Sequence, residues 1–243
     1  MKKYISIFSG LILALSLGIA SAQNVSVGVN QICLERNSAG VCTRYASVNV
    51  GSTQTGGTAA GLSMNTGAFF STGLNTELFT ANNSLHRDGN PGGLGTYTDA
   101  DLTAIDATAI NDVVSYSFSV TLGPKATTLN IRYQFGSEEY PDFVGSAFND
   151  VFGFFVTGPG ISGTTNLAKL PNGNPTSINK VNYGVPGAQS TGVASYDGSQ
   201  SSLYTNNGHN TNQSGGKLVT NTNPGPFPVA VQFNGITRLI TYS

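Results

Sequence analysis

The chain has 243 residues, of which 9% are charged, with a formal net charge of −1 and no tryptophan. That balance offers no basic face to a phosphate backbone, so nucleic acid is excluded as a partner. An apolar fraction of 39% argues against general disorder, and 31 glycines among many Ser, Thr and Asn residues predict short strands joined by turns.

Lys2 and Lys3 precede an apolar run from Ile5 to Ile19, and Ala20-Ser21-Ala22 follows as a small-residue cleavage site. This order predicts a secretory signal peptide over residues 1–22, since the apolar run is too short to span a bilayer. The mature chain then starts at Gln23 and has no membrane span after cleavage. A secreted or cell-surface location follows, and the short leader has a bacterial style. The remaining residues, 23–243, suit one domain of about 220 residues.

"NVSVGVNQICL" and "CTRYASVNVGS" alternate apolar and polar residues and predict two strands within residues 23–60. Between them Cys33 and Cys42, the only two cysteines, flank the turn-forming "NSAG". In an exported chain such a pair predicts one disulfide closing a small loop. Two cysteines without a nearby histidine do not make a zinc site.

A Gly/Thr connector, a short strand in "LSMNTGAFFSTG" and a loop over residues 82–95 lead to "TDADLTAI". There Thr98 and Asp101 have capping-box spacing with Asp99 in the first turn, predicting one short helix near residues 98–106. "VVSYSFSV" and "LNIRYQF" alternate strictly, the second placing Leu129, Ile131, Tyr133 and Phe135 on one face and Arg132 and Gln134 on the other. They read as an antiparallel pair joined through "TLGPKATT", and "DVFGFFVTG" as a more apolar, central strand. "GPGISG" has the G-x-G-x-x-G spelling but no following helix, so it reads as a β-turn. Beyond it turns dominate, until "PVAVQFNGITRLI" reads as a hairpin about Asn234-Gly235. The fold class expected is all-β: an antiparallel β-sandwich of jelly-roll type with that single helix.

One segment departs from the sparse charge. "FGSEEYPDFVGSAFND" gathers Glu138, Glu139, Asp142 and Asp150, four of the twelve acids, with no Lys or Arg among them. Gly136 and Pro141 supply bends. Oxygen-rich loops of this kind suit Ca²⁺, with Glu139, Asp142, Asn149 and Asp150 as ligands and Glu138 and Asp99 as further donors. The competing reading has Asp142 and Asn149 capping turns and an acid pairing Arg132. "DADLTAIDATAI" lacks the Gly and terminal Glu of an EF-hand loop. The histidines, His86 and His209, lie in Gly/Asn-rich loops and read as solvated, so no nucleophile constellation emerges.

The wording of this segment, with "DADLTAI" before it, resembles the choice-of-anchor L domain of exported bacterial proteins. "GLSMNTGAF" and "VQFNGITRLIT" are similar to earlier and later segments of that family, so the resemblance spans residues 61–241, with the cysteine region outside it. The resemblance implies a β-rich surface module and no established activity. Members usually continue into a closing strand, which this chain lacks where it stops at Ser243, so the C-terminus is expected to be truncated. The function expected is a non-enzymatic binding or adhesion module, calcium-stabilised, whose partner is an extracellular glycan or surface protein. Two alternatives stand beside it. One is a secreted polysaccharide hydrolase using a Glu/Asp pair within 138–150. The other is a structural component of extracellular matrix or biofilm, which predicts an exposed strand edge and self-association.

Overall fold

The computed structural model describes residues 61–64, 99–113, 131–192, 196–209, 215–218, 229, 231 and 233–242, with the backbone of strands at 2–7, 32–36, 42–46 and 114–119. Among them are twelve strands and one short α-helix, and every named strand pair is antiparallel. The cleavage site, Thr98, His86 and the "TLGPKATT" turn lie outside the described residues.

The largest sheet is built on β7 (Val151–Gly158), whose first six residues are all buried. The run is continuous because it has no wet face. Phe152 meets the ring of Tyr133 at 5.0 Å on one side. On the other side, Val151 and Phe155 join Leu102, Ala109 and Val113, with Ile105 packed against them. Burying each large side chain of this strand stabilises the fold by about 1.5–3 kcal/mol. Gly153 keeps the helix side open: a Cβ there would lie 2.4 Å from the Phe155 ring and 3.3 Å from Ile105. The expected central strand is therefore present.

Strand β1 (Lys2–Ile7) lies between β4 (Val114–Ser119) and β7, while β2 (Ile32–Arg36) and β3 (Cys42–Ala46) extend the sheet beyond β4. On the far side of β7 come β8 (Ile161–Asn166) and the two-residue β9 (Thr176–Ser177). Pro159-Gly160 turns β7 into β8, with Gly160 at φ +80°, the left-handed value that favours glycine. The "GPGISG" stretch is thus the turn its sequence predicts. β8 itself, polar and largely exposed, carries no apolar alternation by which to find it.

β5 (Ile131–Tyr133) pairs with β12 (Ile240–Tyr242), not with β4. The alternating pair anticipated from sequence is therefore split between two sheets. In β5 the expected side-chain pattern is present: Ile131 and Tyr133 are buried and Arg132 between them is half-buried. Gln134 breaks the pattern by turning inward, where its amide donates to the Thr237 carbonyl and accepts from Ser63 N–H. The Tyr133 hydroxyl lies 2.7 Å from Thr176 Oγ1, so the small sheet rests on the face of the large one in two layers. A third sheet has the order β10 (Tyr204–Asn206), β11 (Gly235–Thr237), β6 (Gly136–Ser137).

That third sheet corrects the hairpin expected at Asn234-Gly235. Gly235 is a central-strand residue facing Ser137 on one side and Asn206 on the other. Glycine is needed there for space, not for a turn. A Cβ at 235 would stand 2.1 Å from Tyr204 Oη and 2.7 Å from Tyr140 Cδ2. Gly136 is likewise no bend, since the Phe233 ring lies where its Cβ would be, at 2.6 Å.

The helix α1 (Ala100–Thr103) is shorter than predicted, and its cap is Asp99. The Asp99 carboxylate accepts from Asp101 N–H at 3.0 Å and Leu102 N–H at 3.1 Å, which satisfies two of the donors every helix start leaves open. In the β2–β3 hairpin, Cys33 stands opposite Tyr45 and Cys42 opposite Arg36. The side chains of Cys33 and Cys42, on which the expected disulfide depends, lie outside the described residues.

Candidate functional site

The acid-rich segment leaves β6 and enters β7 through residues 138–150. Its first device is Ser137, whose hydroxyl donates to Asp150 Oδ2 at 2.6 Å and accepts from Glu139 N–H at 2.9 Å. One buried hydroxyl thus ties the loop's exit to its entrance. Asp150 is 6% exposed and its carbonyl accepts from Ile178 N–H, so the residue is held on two sides.

Between these ends the chain closes consecutive turns, Phe143 N–H to Glu139 O, Val144 N–H to Pro141 O and Ser146 N–H to Phe143 O. The Tyr140–Pro141 peptide is cis. A second loop then clamps the first. Gln189 N–H donates to Asp142 O, Gly187 N–H to Val144 O, and Ser190 Oγ to Gly145 O. The contact is backbone on backbone, because a Cβ on Gly187 would fall 2.0 Å from Pro141 O.

Asn179 serves the same junction, accepting from Gly145 N–H at 2.6 Å and donating to Ser146 O at 3.1 Å. Its own N–H donates to Asn149 Oδ1, and Asn149 Nδ2 donates to Asp106. Asn149, expected as a cation ligand, is therefore spent on binding loop to loop. Asp99, the other outlying candidate, is spent on capping α1.

The carboxylates point inward. Asp142 is 6% exposed, and both carboxylate oxygens of Glu138 and one of Glu139 are buried. Among the described residues, no three His, Cys, Asp or Glu side chains form a group fit for a metal ion. The acids are close along the chain and buried in one loop system, and Asp150 is held there by Ser137.

Beside the acids lies an aromatic cluster that sequence reasoning did not identify. Tyr140 is fully buried, donates its hydroxyl to the Val181 carbonyl, and packs at 4.8 Å from Tyr204 and 6.4 Å from Phe135. Burial, reinforced by the Asp150 charge, pushes the Tyr140 phenol well above its usual range. Tyr204 stacks on His209 at 5.6 Å, and Tyr183 meets both edge-on. His209 is 3% exposed, so it belongs to a ring stack and is not the solvated loop residue expected. Its loop is cinched by Asn206, which accepts from Gly208 and His209 N–H and donates to His209 O. No local sequence pattern reveals this stack, since its members lie up to 69 residues apart, from Tyr140 to His209.

The outer surface of the loop system carries different residues. Phe148 is 66% exposed, yet its ring is braced edge-to-face on Phe143 at 5.4 Å. Its N–H donates to Ser146 Oγ, fixing the backbone beneath it. Tyr183 and Tyr196 are also exposed, and Tyr196 lies beside Gly145 in the same loop.

No helix among the described residues is long and apolar enough to cross a membrane. No curated protein and no solved structure matches the chain. The family comparison matches the Choice-of-anchor L domain over residues 19–242, which takes in the Cys33–Cys42 region that the motif resemblance had left outside. With nearly its whole length matched, the chain belongs to the Choice-of-anchor L domain family.

Proposed function

We propose that the protein is a non-enzymatic binding module that meets an extracellular glycan or a surface protein through the outer face of residues 143–148. Membership of its family points to an exported or cell-surface protein. One contrast supports the finer reading: the segment richest in acids buries its carboxylates, while the Phe148 ring faces outward. A hydrolase needs two carboxyl groups at a cleft that a sugar can enter. Asp142 and Asp150 are each 6% exposed, and Asp150 is engaged by Ser137, which suits holding a loop better than protonating a substrate.

Phe148 is suited to contact. An exposed ring that is already braced loses little further freedom on binding, and aromatic anchors of this kind carry a large share of recognition energy. The test is binding of the exported protein to arrayed glycans and extracellular matrix proteins, compared with Phe148→Ala. Loss of binding with an unchanged unfolding midpoint is expected. Cleavage of an arrayed glycan that disappears in Asp150→Asn would instead establish the hydrolase.

A further inference from the structure

The middle of the largest sheet is filled by residues that export would remove. β1 pairs with β4 at six positions, Lys2↔Ser119 through Ile7↔Val114, and with β7 at five, Lys3↔Val156 through Ile7↔Phe152. Residues 1–22 also have the order of a cleavable leader. If both hold, cleavage opens a slot one strand wide between two strands that run the same way. Each side of that slot then presents unpaired N–H and C=O groups, the template on which an added strand pairs.

We propose that in the exported protein this slot accepts residues 24–29 of a second copy of the chain. The proposal rests on the export reading. The register carries it. "NVSVGV" laid over "KKYISI" sets Val25, Val27 and Val29 at the positions of Lys3, Ile5 and Ile7, opposite Val156, Phe154 and Phe152. Directly opposed residues of an antiparallel pair share a face, so the three valines would lie on the Phe152, Phe154 and Val156 face of β7. Ser26 and Gly28 then take the positions of Tyr4 and Ser6, opposite Phe155 and Gly153, where α1 packs and space is shortest.

Connectivity makes the donor a second copy. β1 and β2 both run antiparallel to β4, on its two sides, and Cys33 stands opposite Ser115. A chain filling its own slot would bring Val29 opposite Val114, yet must start β2 at Ile32, opposite Tyr116 and beyond β4. Those positions are roughly 12 Å apart, from two strand spacings across and two residues along, with β4 in the way. Three Cα–Cα steps reach about 11 Å fully extended.

The experiment takes the full chain through an exporting bacterial host and analyses the product by N-terminal sequencing, light scattering and amide exchange. Expected are a product starting at Gln23, a mass at least about twice the monomer's, and protection of the Val114–Ser119 and Val151–Val156 amides that falls on dilution. Val27→Pro, which removes a ladder donor, should return the product to monomer, and a synthetic 23–31 peptide should do so without mutation. A product that starts at Gln23 but is monomeric, with both strands fully protected, overturns the proposal and leaves export intact. A product that still carries Lys2–Ile7 overturns the export reading as well.

Discussion

Replacing Gly235 by alanine tests the placement of this residue directly. A methyl group there would stand 2.1 Å from Tyr204 Oη, 2.6 Å from Tyr204 Cε2 and 2.7 Å from Tyr140 Cδ2, all inside the fold. Both rings are confined: Tyr140 is fully buried and bonded to Val181, and Tyr204 is stacked on His209. Overpacking of this kind costs about 1–3 kcal/mol, and the upper end applies where neighbours cannot shift. For a domain of this size 3 kcal/mol lowers Tm by roughly 6–12 °C. Tyr204→Phe removes the nearest of the three atoms. Tyr204 Oη is buried with no hydrogen-bond partner among the described residues, so by itself this change should be neutral or stabilising by up to about 1–2 kcal/mol. The double variant should then be at least ~1 kcal/mol more stable than the sum of the singles predicts. Thermal and denaturant unfolding of all four proteins supplies the cycle. Additivity within about 0.5 kcal/mol would refute the reasoning, because a glycine required for turn geometry would suffer from alanine whatever stood at 204.

Four further outcomes follow from the same geometry. Ser137→Ala removes the charge-assisted bond to Asp150 and the acceptor of Glu139 N–H, and should cost about 2–3 kcal/mol in denaturant unfolding while Ser137→Thr retains part of it. Asp99→Ala should cost about 1 kcal/mol, read in the same assay, through loss of the α1 cap, and Asp99→Ser should restore most of it. Asp197 is held below the usual carboxylate range, chiefly by Ser199 N–H and hydroxyl, so its contribution is present at neutral pH and is lost as pH falls through its folded-state value. Asp197→Asn should therefore flatten the acid limb of a stability–pH curve and leave the alkaline limb unchanged. Added calcium and then chelator test the expected cation site: a calcium-dependent rise in the unfolding midpoint that Asp142→Ala abolishes would support it, and an unchanged midpoint would leave Asn149 and Asp99 with the loop-joining and capping roles seen here.

Local signals were legible where the chain decides its own conformation. The unbroken apolar run of β7, the Pro159-Gly160 turn and the acid at the start of α1 each follow from a few adjacent residues. Pairing was not legible, because partners are chosen by what the rest of the fold leaves free. β4 and β5 alternate equally well, yet they enter different sheets. Asn234-Gly235 has the composition of a tight turn, and only the two tyrosine rings reveal why glycine is there. The acids illustrate the same limit. Their crowding in sequence was plain, but the use of Asp150 is decided by one serine hydroxyl, that of Ser137.

The bonds between Gln134, Phe135 and Thr237 have a consequence for how the protein comes into being. Gln134 Nε2 donates to Thr237 O, and Phe135 N–H donates to Thr237 Oγ1, across 103 and 102 residues respectively. β6, which begins immediately afterwards, has β11 as its partner. A nascent chain therefore cannot complete the layer beneath its acid-rich loop until residue 237 has been synthesised and released. Closing so long a loop is entropically slow, and the unfinished sheet stays open meanwhile. In an exported protein such a delay would be useful: the chain would remain a thread while a translocation channel required one, and would become a folded body only on the far side.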